Sequence, residues 1–146
     1  MGGNGLTPRV MAVDYGDART GVAVSDPTGL LTGESFTIHE NRMGELVKKL
    51  ADAARTRGVG RVVVGLPRNM NATEGPRAEK SRALAGRLEA LGLVVALWDE
   101  RLTTTAAHQI LNETGRRGAK RRAVVDAVAA GLILEGYLGF LRNSGQ

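Results

Sequence analysis

No cysteine occurs in this 146-residue chain. Disulfides, thiolate metal sites and cysteine nucleophiles are thereby excluded. Histidine is scarce, with only His39 and His108, so a zinc site of nitrogen and sulfur ligands is not expected. Both histidines are expected at the surface. Aromatic residues are 3% of the chain, namely Tyr15, Phe36, Trp98, Tyr137 and Phe140, with Trp98 and Phe140 expected in the core. That is a poor toolkit for stacking on single-stranded bases, which leaves backbone and shape as the means of recognising any nucleic acid. No apolar run spans a bilayer, because residues 124–134 are interrupted by Asp126. Residues 1–8 lack the apolar stretch of a signal peptide, so a cytoplasmic protein with no membrane partner is expected.

Acidic groups are also in deficit, 15 against 20 lysines and arginines, for a net charge of +5. A basic surface attracts phosphate polyanions by counterion release, though it serves solubility equally well. With 42% hydrophobic residues, the chain suits one domain with a real core. That domain is expected over residues 9–141, with residues 1–8 and 142–146 flexible.

The apolar run ending at Asp14, the turn-prone Tyr15-Gly16-Asp17 and Gly21-Val22-Ala23-Val24 predict two strands, and Phe36 and Ile38 alternate as in a third. Met43, Leu46, Val47, Leu50 and Ala54 then repeat at helical spacing, with Gly58 as C-terminal cap. Val62-Val63-Val64 predicts a buried strand. Pro76 suits a helix's first turn, followed by a stripe of Leu84, Leu88 and Leu91 that Gly92 stops. A further buried strand is expected from Leu93 to Trp98, a helix after Thr103 or Thr104 carrying Ala107, Ile110 and Leu111, and a last helix from about Ala123 toward Phe140. An antiparallel three-strand meander thus passes into strand–helix alternation, which implies parallel strands with right-handed crossovers. The expected fold is an α/β mixed five-stranded sheet with helices on its faces.

Three carboxylates draw attention. Asp14 ends an apolar strand, where ligands bind in open α/β sheets; alternatively it starts the turn at Gly16. Asp99 and Glu100 end another strand, and alternation lets only one of them face a given site; the other can pair with Arg101. Asp126 is the only acid between Glu113 and Glu135, among small and apolar helical neighbours. Burying it unpaired is costly, unless it caps a helix starting at Ala127. Were the three to converge, each like-charged pair at about 4 Å would cost roughly 1 to 4 kcal/mol, and an all-oxygen set suits Mg²⁺ or Mn²⁺.

Three motifs carry a resemblance. They are Asp14-Tyr15-Gly16 with residues Arg19 through Asp26, Val64-Gly65-Leu66-Pro67-Arg68-Asn69-Met70 with Glu74-Gly75-Pro76-Arg77, and Asp99-Glu100-Arg101-Leu102-Thr103-Thr104 with Asp126. In this order the chain resembles the YqgF/RuvX-type family, described as Holliday junction resolvases and as nucleases of the pre-16S rRNA 5′ end. The resemblance implies a ribonuclease-H-like fold and a catalytic, metal-binding set of Asp14, Glu100 and Asp126, with two Mg²⁺ or Mn²⁺ ions. It implies cleavage that leaves a 5′-phosphate and a 3′-hydroxyl. One departure stands out: Asn71-Ala72 occupies a place where family members often carry Asp-Gly.

Substrate contact is expected from Arg19, Asn69 and Arg101, and from a basic loop over residues 115–122 that holds Arg116, Arg117, Lys120, Arg121 and Arg122. Arg19 and Arg101 have an alternative in pairing with Asp17 or Asp99. Nucleic acid, RNA or DNA, is the expected partner. Paired cuts in a four-way junction would call for a homodimer, for which the sequence carries no signature. Two other readings compete. A non-catalytic ribosome-assembly factor would use the basic loop but leave the acids unexplained. An actin-like ATPase would need a second domain, for which the chain is too short, and there is no Walker A sequence.

Overall fold

The computed structural model describes residues 9–29, 31–102 and 118–143, with the side chains of 102 and 118–125 excluded. The helix expected after Thr103, together with Arg116 and Arg117, lies outside the described residues.

Strands β1 (Arg9–Asp14), β2 (Arg19–Ser25) and β3 (Thr32–His39) form the antiparallel meander. Helix α1 (Met43–Thr56) returns the chain to β4 (Val59–Leu66), which pairs parallel with β1. Helix α2 (Pro76–Ala90) leads to β5 (Val95–Asp99), parallel to β4, and a 3₁₀ turn follows at Glu100–Leu102. The final helix, labelled α3 here, runs Gly118–Asn143. The sheet order is β3-β2-β1-β4-β5, the expected mixed five-stranded sheet.

Local chemistry explains the boundaries. The helical stripe of α1 buries Leu46, Val47, Leu50, Ala51 and Ala54. Gly58 at φ +67° and Gly92 at φ +91° take the left-handed conformation that follows α1 and α2. Pro76 opens α2, where its missing N–H costs nothing.

Several expectations are corrected. Leu91 lies past the end of α2 and is exposed, so the apolar stripe is shorter than its sequence suggests. The strand expected at Leu93 starts at Val95 and is half-buried, with Leu97 exposed, because β5 is an edge of the sheet. Phe140 is 55% exposed rather than in the core. Helix α3 begins at Gly118, so the backbones of Lys120, Arg121 and Arg122 are helical, not loop. Asp126 therefore sits well inside a helix instead of capping one.

Strand alternation divides the core. On one face Met11, Val13, Val22, Val24, Val62 and Val64 pack beneath α1 and α2. On the other, Val10, Ala12, Ala23 and Val63 meet Ala130, Ile133, Leu134, Tyr137 and Leu138 of α3, with Ala96 and Trp98 of β5 alongside.

Candidate active site

The α3-facing positions run Val10, Ala12 and then Asp14 along β1, so Asp14 is the last side chain on that face at the strand's C-terminal end. The same alternation on β5 runs Ala96, Trp98 and then Glu100, which reaches the same end of the sheet. Two residues with no side chain flank Asp14 on the neighbouring strands, Gly21 on β2 and Gly65 on β4, the latter on the side of Glu100. Gly21 is the cross-strand partner of Asp14, and a Cβ there would collide with the backbone carbonyl of Asp126. A Cβ on Gly65 would stand 2.6 Å from Glu100 Oε2 and 2.6 Å from Ile133 Cδ1. The two glycines let α3 settle close to the sheet, which brings Asp126 over the end of β1 and gives Glu100 its space.

The electrostatics follow from that burial. The Asp14 side chain is 12% exposed, and its Oδ1 is buried with no hydrogen-bond donor among the described residues. Burial, then the charge of Glu100, pushes the Asp14 carboxyl up to about 8; Arg77 opposes the shift and Asp126 adds to it. Glu100 is also raised, by burial first, against the pull of Arg77 and a hydrogen bond shared with Asp14. Asp126 is raised by burial as well, resisted by Arg19, whose Nε donates to Oδ2 at 3.2 Å, and by His39 and Arg77.

Among the described residues no three carboxylate or histidine side chains stand close enough together to hold a metal ion. The counter-ions nearest the acids are Arg19 at Asp126 and Arg77 at Asp14. The donor chemistry still fits a hard divalent cation: carboxylate oxygens, with one buried oxygen of Asp14 lacking any donor.

The other candidates are placed as follows. Asp99 points away from this pair and is gripped by Arg101, with Nη2 at 2.6 Å and Nε at 2.9 Å from Oδ2; Arg68 adds a contact at 3.8 Å. Arg101 is thereby held by Asp99, and its Nη1 also reaches the Met70 carbonyl. Of the two alternatives left open at the end of β5, Glu100 is the one beside Asp14. Arg19 pairs with Asp126, not with Asp17, which binds Lys80 at 2.9 Å. Asn69 is exposed and uses its amide within its own turn, donating to Thr73 Oγ1 at 2.8 Å. That turn puts Ala72 at φ +70°, at the place where family members often carry glycine. Sequence reasoning passed over Arg77, although it belongs to the second motif; its Nη2 donates to the Tyr15 carbonyl at 3.0 Å.

A mixed sheet in this order, with acidic side chains gathered at the end of its first strand, defines a ribonuclease-H-like protein. The RuvX family, described as Holliday junction resolvase, matches residues 8–139, and the chain belongs to it. A protein of Pelotomaculum thermopropionicum named "Putative pre-16S rRNA nuclease" is 48% identical over 132 residues, 89% of this chain and 86% of its own. A like-named protein of Moorella thermoacetica is 45% identical over 138 residues, 94% of this chain and 99% of its own. In fold, the chain is similar to T. thermophilus RuvC in complex with a Holliday junction substrate, with a TM-score of 0.59, 13% identity and coverage of 91% and 97%. Fowlpox virus resolvase with Holliday junction DNA gives 0.55 at 10% identity, covering 91% of this chain and 98% of that one. No helix among the described residues is long and apolar enough to cross a membrane.

Proposed function

We propose that this protein is a divalent-metal-dependent nuclease that hydrolyses phosphodiester bonds, with Asp14, Glu100 and Asp126 as its catalytic and metal-binding residues. The observation that carries the reading is Asp14 itself. It is a buried carboxylate with an oxygen that no group among the described residues satisfies, beside two further acids, on ground cleared by Gly21 and Gly65. A fold would not retain this costly arrangement for stability. Mg²⁺ or Mn²⁺, when bound, supplies an activated water and stabilises the leaving oxygen.

The protein's part is to hold and orient. Asp14 sits on the rigid end of a central strand, Glu100 on the turn after β5, and Asp126 on α3 with Arg19 fixing its carboxylate. Backbone contacts to the nucleic acid fall to the basic residues that precede Asp126 in the chain, Arg116, Arg117, Lys120, Arg121 and Arg122, the last three on the first turns of α3. The named relatives favour pre-16S ribosomal RNA as substrate, while the family's description as Holliday junction resolvase favours branched DNA. A four-way junction would need two copies acting together; an RNA end would not. The competing reading, a non-catalytic binding factor, leaves the buried Asp14 without a reason.

The test is a cleavage assay on a 5′-extended ribosomal RNA fragment, single-stranded DNA and a four-way junction, with wild type and Asp14→Asn in EDTA, Mg²⁺ or Mn²⁺. Metal-dependent cutting by wild type alone supports the reading and names the substrate. Binding without cutting in every metal moves the function to the assembly-factor alternative.

A further inference from the structure

Arg77, the second residue of α2, is a cation that, among the described residues, acts on all three acids: it favours the charged forms of Asp14, Glu100 and Asp126. Its position is set from two sides. Pro76 starts α2 at the mouth of the cluster, and the guanidinium crosses the end of β1, where Nη2 donates to the Tyr15 carbonyl at 3.0 Å. The same nitrogen stands 3.8 Å from Asp14 Oδ1, an oxygen with no hydrogen bond among the described residues. At that distance Arg77 acts on Asp14 by charge, favouring its ionised form, and it does so from a side chain 57% exposed, which leaves it room to move aside.

We propose that Arg77 is a resident counter-ion that takes the place of the divalent cation at Asp14, holding the carboxylates together until a metal ion enters and then yielding to it. This rests on the metal-dependent reading above. Three roles for Arg77 make different predictions about metal binding in the absence of nucleic acid. A purely structural arginine, once removed, leaves a looser site that binds metal more weakly. An arginine that only grips substrate phosphate leaves metal affinity unchanged. A competing cation, once removed, leaves a site that binds metal more tightly, because a positive charge about 4 Å from the ligand oxygen no longer opposes the ion.

The experiment titrates Mn²⁺ by calorimetry into nucleic-acid-free wild type, Arg77→Gln and Arg77→Lys, and melts each protein in EDTA. Arg77→Gln is expected to bind Mn²⁺ about tenfold tighter than wild type and to melt at a lower temperature in EDTA, with Arg77→Lys close to wild type in both. Because the side chain is half in solvent, the glutamine variant keeps the fold, and the lysine variant separates charge from shape. Wild type binding Mn²⁺ with Arg77→Gln equal or weaker overturns the placeholder role alone. Absence of Mn²⁺ binding in both overturns the metal-dependent reading and the placeholder with it.

Discussion

One sheet presents two unlike faces. Beneath α1 and α2, its three central strands contribute methionine and valine to a layer that is apolar apart from Thr20 and Ser81 and holds no charge. Beneath α3, the same strands contribute Val10, Ala12, Ala23 and Val63, and then Gly21, Gly65 and Asp14. The change from bulk to emptiness happens toward one end, within two residues along each strand. Because neighbours on a strand point to opposite faces, the layer that stabilises the fold and the layer that ends in the acids are built from adjacent residues without competing for space. Burial serves the first face and strains the second, where it raises all three acids above their ordinary values.

The sharpest way to break this comparison is to remove one charge from the second face. Asp14→Asn is expected to reduce cleavage to background while leaving nucleic-acid binding intact, read by cleavage and band shift on the same substrate. Its effect on stability is opposite in sign and depends on pH. Asp14 holds its proton to about 8 in the folded protein, against an ordinary value of 3.8. The folded state therefore binds more protons than the unfolded state between those values, so stability falls as pH rises through that window. In EDTA, wild type is expected to lose on the order of 3 kcal/mol between pH 5 and pH 9. Asp14→Asn should lose much less, and Mn²⁺ should restore the wild type at high pH. A flat pH profile for wild type in EDTA would remove the strain from the account.

On the first face, Leu50→Ala should cost about 2–5 kcal/mol of unfolding free energy, measured by urea titration, with cleavage per folded molecule unchanged. Gly65→Ala asks the complementary question. Its new Cβ would press on Glu100 and Ile133, so cleavage should fall well over tenfold for a stability cost of about 1–3 kcal/mol. Equal activity loss in the two variants would erase the distinction between the faces. The smallest effect lies outside both. Ala72 occupies a left-handed conformation at φ +70°, so Ala72→Gly should stabilise by about 1 kcal/mol in the same titration, without changing cleavage.

Much of this architecture is legible in the sequence, for identifiable reasons. Valine runs and the 3.6-residue spacing of Leu46, Val47 and Leu50 announce their elements locally, and the isolation of Asp126 among small residues marks its helix face as packed. The apolar character of Leu91 and Phe140 suggests burial for both, but Leu91 lies beyond the end of α2 and Phe140 keeps one side in solvent while its ring packs edge-on against Trp98 of β5. That Gly21 and Gly65 are clearances is not legible in the sequence, because it is a property of what lies above them. Arg77 was passed over because its partners, Asp14 and Tyr15, are more than sixty residues earlier in the chain, and only the crossover from β4 through α2 brings them together.

The central claim is that the α3 face ends in a cation site built on Asp14. Calorimetric titration of Mn²⁺ into wild type, Asp14→Asn and Leu50→Ala, without nucleic acid, tests it most directly. The account predicts saturable binding by wild type and by folded Leu50→Ala, and its loss in Asp14→Asn. Binding that survives unchanged in Asp14→Asn would contradict it.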